Sequence, residues 1–244
     1  MEPIYVQEFD ITDNTVDCFG RLKPSMILYF VQEVAGKHFN RISMDYDALE
    51  KLGMIWAIIR QRVQITRLPR RGEKLRVETW PMPTTRVAYP RSVVAYDEAG
   101  NECFRSISIW VLMDVNTRNM ILPGKSGISV PGTLRGMELA APGSLMPKEL
   151  HSCRQRTVSF TDLARNGHMN NTKYMDWIDD LLPSAFHQGH EVKEFTVCYL
   201  SEAREGQVLD LHWDFLEEGT LQVDAHRNSG EKDERVFSAR LIWG

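Results

Sequence analysis

Asn166, Gly167 and His168 place a carboxamide and an imidazole on either side of the smallest residue, immediately ahead of Asn170 and Asn171. An imidazole titrates near neutral pH, and beside an amide it suits proton transfer and the orientation of a water or a carbonyl. Asn170 and Asn171 are helix-capping residue types. Behind them Tyr174, Trp177, Ile178 and Leu181 recur at i, i+3, i+4 and i+7, the spacing of one buried helical face. The imidazole is thus expected at the mouth of a helix sunk in a core, where unpaired N–H groups and the positive end of the helix dipole polarise a carbonyl oxygen. A single turn histidine is ordinarily a capping group. The paired asparagines and the apolar helix behind them turn the reading towards an active site.

Such a group needs a frame, and the chain supplies one twice. Between Asn116 and Ser152 stand Pro123, Gly124, Gly127, Pro131, Gly132, Gly136, Pro142, Gly143 and Pro147, a density of breakers that predicts an extended linker. On either side the order is a short strand, one buried helix and several long strands. In the first half the strand is Tyr5 to Ile11, and a helix follows Pro24 with Ile27, Phe30, Val31 and Val34 on one face. A short second helix is expected over 45–52, then strands near 56–67, 73–80, 87–97 and 103–114. The second half predicts strands near 154–160, 191–202, 207–216, 220–227 and 234–243. Each half is expected to wrap a long-stranded antiparallel sheet around its helix, an α+β architecture whose halves pair as symmetric dimers do.

The halves align on residues. VQITRLPRRGEKLRV (Val63 to Val77) matches VCYLSEAREGQVLDL (Val197 to Leu211), with Gly72 over Gly206, and upstream Gly20–Arg21 falls over Gly167–His168. The copies differ in chemistry: Arg21 stands for His168, Phe19 for Asn166 and Leu68 for Glu202. A lone turn glutamate is ordinarily a solvated carboxylate; its apolar counterpart in the other copy is what raises Glu202. Asn166, His168 and Glu202 are expected to converge as a carboxylate–imidazole–amide set that activates water and orients a carbonyl.

Composition narrows the classes. The 244 residues, 43% hydrophobic and 25% charged, are those of an ordinary globule with ample core. A net charge of −4 gives no reason for wholesale nucleic-acid binding. The longest apolar run, Met54 to Ile59, is too short to span a bilayer, and Glu2, Glu8 and Asp10 stand where a signal peptide would be basic and then apolar. Cys18, Cys103, Cys153 and Cys198 lie far apart without a CxxC pair, so reduced and mostly buried thiols are expected, in a cytoplasmic protein. LPGKSG (Leu122 to Gly127) fails as a phosphate loop because Asn119 occupies the first glycine position, and no GxSxG elbow occurs. His187 and His190 lack a third metal ligand and are expected in a polar loop after the helix ended by Pro183.

The segments IWAIIRQRVQITRLPRRGEKLRVETW, SISIWVLMDVNTRNMILP, DLARNGHMNNTKYMDW and YLSEAREG resemble the acyl-acyl carrier protein thioesterases of plants and bacteria, over nearly the whole chain. The resemblance implies a tandem double hot-dog: an acyl-binding hot-dog over 1–122, a linker over 123–150 and a catalytic hot-dog over 151–244. It implies hydrolysis of the fatty acyl-acyl carrier protein thioester, releasing free fatty acid and ending chain elongation. The partner it implies is an acyl carrier protein bearing the acyl chain on 4′-phosphopantetheine, with no cofactor or metal, the enzyme being a monomer or homodimer. The family's Asn and His match Asn166 and His168, and its Glu matches Glu202. Plant members carry a carboxylate two residues before the Asn, where Ala164 stands; Asp162 matches a separate upstream Asp. The family's Cys after the Glu is Ala203 here, so a thiol nucleophile at that place is excluded, leaving water attack or a transient anhydride through Glu202. Asp162, Asn170 and Asn171 are supporting candidates.

For a thioester, backbone N–H groups near Met169–Asn171 are expected to hold the oxyanion, each such donor contributing roughly 3 kcal/mol. The first half, without the polar set, is expected to line an acyl tunnel. Met26, Ile27, Phe30, Trp56 and Ile58 are its candidates, each equally compatible with plain core. Arg67, Arg70, Arg71, Lys74 and Arg76 form the most basic stretch, either a docking face for an acidic carrier protein or a solvated hairpin turn. The rival functions are an acyl-coenzyme A thioesterase, a hot-dog dehydratase (disfavoured by the missing second set) and a non-catalytic acyl-binding or regulatory module.

Overall fold

Runs rich in β-branched and aromatic residues build the main strands of the first half, from the six residues of the first to the 13 of the longest. The computed structural model describes residues 3–41, 46–228 and 233–244. Contacts divide the chain into one unit of Met1–Lys23 with Tyr29–Pro142 and another of Pro24–Leu28 with Gly143–Gly244. The first unit contains β1 (Tyr5–Asp10), β2 (Met54–Ile65), β3 (Lys74–Pro81), β4 (Tyr89–Tyr96), β5 (Glu102–Asp114) and a short β6 (Met120–Ile121). They form an antiparallel sheet in the order β1-β3-β4-β5-β2, with β6 on β5.

Helix α1 (Pro24–Arg41) begins at the expected proline, and Ile27, Phe30, Val31 and Val34 are all buried. From Tyr29 onward it belongs to the first unit. Phe30 stacks on Phe9 at 4.3 Å and Phe39 on Trp56 at 4.8 Å between ring centroids. A second helix, α2 (Tyr46–Lys51), follows; Asp45, its expected first residue, lies outside the described residues.

The helix–sheet interface of this unit is not purely apolar. Arg91 on β4 is wholly buried; its Nη1 donates to Thr79 Oγ1 (3.1 Å) and lies 3.0 Å from His38 Nδ1, and its guanidinium sits 4.3 Å over the Phe39 ring. Burial pushes its pKa down to about 9, so it stays cationic at neutral pH. β4 is also buried along nearly its whole length, although a sheet with one wet face should alternate. The breaker-rich segment explains this. After a helical turn, α3 (Pro123–Ser126), the chain runs without regular structure but packed along the outer face of the sheet. Thr133 N–H donates to Pro81 O (2.9 Å), Trp80 Nε1 to Glu138 Oε1 (3.1 Å) and Arg105 Nη1 to Met137 O (2.8 Å). Leu139 packs against Ala88, Ile107, Ile109 and Val111. Expected as an extended linker, this stretch is irregular, and over 133–139 it also straps the first unit's sheet.

The second unit holds β7 (Ser152–Thr157), β8 (Val192–Tyr199), β9 (Val208–Glu217), β10 (Thr220–Asn228) and β11 (Asp233–Trp243), in the antiparallel order β8-β11-β10-β9-β7. Its main helix is α4 (Lys173–Asp179), with Tyr174, Met175, Trp177 and Ile178 buried. Tyr174 stacks on Phe237 at 4.4 Å and 10°. A short α5 (Ser184–Gly189) follows Pro183. His187 lies on this helix rather than in the expected polar loop, with Nε2 2.9 Å from Asp179 O, while His190 is the exposed residue just beyond the helix and stacks on Phe186 at 4.2 Å. None of the four cysteines forms a disulfide, but Cys18 and Cys153 are exposed, so only Cys103 and Cys198 are the buried thiols expected. None of the described helices is long and apolar enough to cross a membrane. Each unit is a sheet with its helix, and the fold is the expected tandem double hot-dog.

Candidate active site

Two loops of the second unit make the site, and main-chain hydrogen bonds shape both. Ala164 N–H donates to His168 O (2.8 Å) and Gly167 N–H to Ala164 O (2.9 Å), closing a tight turn that needs a left-handed residue; Gly167 supplies it with φ +76°. Met169 N–H donates to Ala203 O (2.8 Å) and Asn170 N–H to Asp162 O (2.8 Å), while His168 bridges Arg204, so the histidine loop is stitched to the glutamate loop. The first unit repeats the pattern. Asp17 N–H donates to Arg21 O (2.8 Å), Gly20 N–H (φ +73°) to Asp17 O (3.0 Å), Leu22 N–H to Pro69 O (2.9 Å) and Lys23 N–H to Thr15 O (3.1 Å), with Arg21 bridging Arg70. The aligned residues of the two halves therefore occupy the same places in the same turn.

Into this shared frame the second unit puts different side chains. His168 Nε2 and Glu202 Oε2 lie 3.0 Å apart, with the imidazole 9% and the carboxylate 33% exposed. The ring is held in the core while the carboxylate still meets solvent. Asn166 Oδ1 accepts the His168 N–H (3.2 Å), and Asn166 itself is exposed. Of the three residues expected to converge, His168 and Glu202 are brought together, while Asn166 is tied to the His168 main chain. Arg204 Nη2 approaches the same Glu202 oxygen at 3.8 Å.

The Ala164 departure has a local explanation. In the first unit Asp17 stands at that place, and its Oδ1 accepts the N–H groups of Phe19 (2.8 Å) and Arg21 (2.9 Å) while Oδ2 holds Arg21 Nε (2.8 Å). Ala164 cannot do this, and Asn166 takes over the His168 amide from two residues further on.

The supporting candidates fare differently. Asp162 Oδ2 accepts Ser159 N–H (2.9 Å) and closes a 3₁₀ turn over Phe160–Asp162, so it is tied to its own loop. Helix α4 starts at Lys173 with Thr172 at its N-cap and no side-chain cap, so Asn170 and Asn171 do not cap it. Asn170 Oδ1 instead accepts the N–H and hydroxyl of Thr172 (3.0 and 3.1 Å), an Asx turn. The amides of Met169 and Asn170 are already used in the stitching, so two of the three expected oxyanion donors are occupied. Asn171 is fixed through its carbonyl, which accepts the Tyr199 hydroxyl (3.2 Å).

Among the tunnel candidates, Ile27, Phe30 and Ile58 are buried, and Met26 and Trp56 partly so. Phe30 and Trp56 have aromatic partners, Trp56 also meeting Tyr89 edge-on at 4.9 Å. The basic stretch is less naked than its sequence: Arg67 bridges Glu73 (2.7 Å) and Asp97 (2.9 Å), Arg71 pairs with Asp13 and Arg76 with Glu78, Arg70 Nη1 donates to Phe19 O (3.4 Å), and Lys74 is exposed.

One residue at the site has no local signature. Arg227, on β10, donates through Nη1 to Glu202 O (2.9 Å) and Gln207 Oε1 (2.8 Å), from a strand a full hairpin away in sequence.

A family model described as the acyl-ACP thioesterase N-terminal domain matches residues 2–122, and one described as the acyl-ACP thioesterase C-terminal domain matches residues 146–244. A palmitoyl-acyl carrier protein thioesterase, chloroplastic, from Gossypium hirsutum is 29% identical over 221 residues, 84% of this chain and 54% of that protein. The chain spans about half the length of the curated relatives it matches. An acyl-ACP thioesterase from Bacteroides thetaiotaomicron superposes with a TM-score of 0.87 at 23% identity, covering 99% of this chain and 98% of that one. A 12:0-ACP thioesterase from Umbellularia californica superposes with a TM-score of 0.83 at 21% identity, covering 100% and 98%.

Proposed function

From the premise that the chain belongs to the acyl-ACP thioesterase family, we propose that it hydrolyses the thioester of fatty acyl-acyl carrier protein, releasing free fatty acid and ending chain elongation. The observation that carries this reading is the 3.0 Å contact of His168 Nε2 with a carboxylate that still meets water, in the copy of the loop that also bears Asn166. A paired imidazole and carboxylate is general-base equipment.

The side chains suggest an order of events. The Asn166 Nδ2 group donates to the thioester carbonyl or its water. Glu202, oriented by the His168 N–H, takes a proton from water, and the hydroxide adds to the acyl carbon. The tetrahedral adduct expels the sulfur, which takes the proton back from Glu202 as the C–S bond breaks. Ala203 offers no thiol, so water rather than a cysteine is the nucleophile. The Asn171 amide and the Asn166 carboxamide are the donors assigned to the oxyanion.

We assign bond cleavage to a C-terminal hot-dog over 151–244 and the acyl chain to the N-terminal hot-dog over 1–122, with 123–150 joining them. The partner is an acyl carrier protein, approached through Arg70, Arg71 and Lys74. Four cysteines outside any disulfide suit a reducing compartment such as the cytoplasm. The test is thiol release from carrier-protein thioesters of graded acyl length, with coenzyme A thioesters in parallel. Turnover confined to the coenzyme esters would assign the activity to the rival thioesterase, and saturable binding without hydrolysis would make the protein an acyl-binding module.

A further inference from the structure

The loop that carries Glu202 is held from outside, and in the opposite sense to its counterpart. Besides its bonds to Glu202 O and Gln207 Oε1, Arg227 donates through Nη2 to Ser201 Oγ (3.3 Å) and pairs with Glu234. Gln207 Oε1 also accepts Arg204 N–H (2.9 Å). A single planar guanidinium on a strand thus grips the loop on both sides of Glu202 and at the main chain of Glu202 itself.

The first unit builds a clamp at the same place with its charges exchanged. Strand registers Val77↔Ala95 and Leu211↔Ala225 set Asp97 opposite Arg227 in the repeat, and the loop alignment sets Arg67 over Ser201 and Glu73 over Gln207. There the cation is on the loop, with Arg67 reaching Glu73 (2.7 Å) and Asp97 (2.9 Å). That arrangement is harmless beside Leu68. Beside Glu202, a cation at 201 would compete with His168 for the carboxylate. The second unit has a neutral Ser201, a neutral Gln207 and the guanidinium moved to the strand, where it meets the glutamate's carbonyl instead of its side chain.

Resting on the reading of Glu202 as the base, we propose that Arg227 is the positioning residue for that base: its clamp fixes the Glu202 main chain so that the carboxylate faces His168. Arg227 does not touch the substrate and acts only through Glu202. Misplacing a reacting group by about 1 Å costs on the order of 100-fold. Arg227→Met is therefore expected to lower kcat by about that factor with KM held, and Arg227→Lys, which reaches one acceptor of the set, to recover part of it.

The discriminating measurement adds Arg227→Met to Glu202→Gln. Acting through Glu202, the arginine has nothing left to position there, so the double variant is expected to retain the residual rate of Glu202→Gln. A triple variant, Ser201→Arg with Gln207→Glu and Arg227→Asp, rebuilds the first unit's clamp; it is expected to recover thermal stability but not kcat. The proposal is overturned if Arg227→Met keeps the wild-type rate, if its loss lies in KM, if the loss is the same in the Glu202→Gln background, or if the rebuilt clamp restores kcat. Wild-type turnover by Glu202→Gln alone would overturn the reading of the base as well, whereas a slow Glu202→Gln with a fast Arg227→Met sinks only the positioning role.

Discussion

Replacing Glu202 by Gln keeps the size and one acceptor oxygen within 3.0 Å of His168 Nε2 while removing the charge and the capacity to take a proton. General-base assistance contributes roughly 10²–10⁴ in rate, so a central loss of about 10³ corresponds to ~4 kcal/mol of barrier. The loss belongs in kcat, with KM little changed, because in the proposed reaction the carboxylate acts on the attacking water rather than on the bound acyl chain. Stability should barely move: a carboxylate one-third exposed, paired with an imidazole, contributes no more than about 1 kcal/mol. His168→Gln alone should lose a similar factor. Because the two act as one unit, the double variant should again lose about 10³ and not the 10⁶ of independent residues. The assay is single-turnover thiol release from an acyl-carrier thioester, with thermal melts to confirm folding. Glu202→Gln within threefold of wild type, or losses that multiply in the double variant, would refute the coupled base.

Three further outcomes follow from the geometry. The Arg67 guanidinium, with help from the Asn101 amide, holds the Asp97 carboxyl down to about 2; a depressed folded-state pKa stabilises fully above the ordinary carboxylate range and is lost as pH falls towards 2, so melting curves of Asp97→Asn should lie below wild type at pH 7 and converge with it between about pH 4 and 2. A methyl on Gly132 would sit 2.3 Å from the Met82 main chain, so Gly132→Ala should lift the strap and cost about 1–3 kcal/mol by chemical denaturation, with kcat unchanged. Reversing Arg70 and Arg71 to Glu should lower kcat/KM about tenfold at low salt for carrier-protein esters and leave coenzyme A esters alone, an effect that added salt should erase.

Most of the strands and helix α1 are legible because their apolar runs are long, and Pro24 marks where α1 begins. Glu202 has no signature in its own spacing; the repeat marks it, because its partner Leu68 makes a carboxylate in that loop unusual, and the resemblance of YLSEAREG agrees. The start of α4 is hidden because asparagine serves two purposes: Asn170 closes an Asx turn on Thr172, and two of the amides expected free at a helix mouth donate to Ala203 and Asp162. β4 gives no period-two signal because the strap covers its outer face, and composition tells that a Pro- and Gly-rich segment is irregular but not what it lies against. Arg227 cannot be found by spacing at all, since its role depends on which strand the hairpin brings beside the loop.

The paired turns around Gly20 and Gly167 are closed mainly by main-chain amides and left-handed glycines, with Asp17 and Asn166 each adding a side-chain acceptor, so most of the chassis is common while His168 and Glu202 ride on it as passengers. Form and chemistry are thereby uncoupled. After a duplication, one copy can drift in what it displays without unfolding, and the other can be refined without dragging its twin along. Asymmetry of this kind is cheap to acquire, and the same independence makes the copy that lacks the His–Glu pair a ready recipient for grafted reactivity.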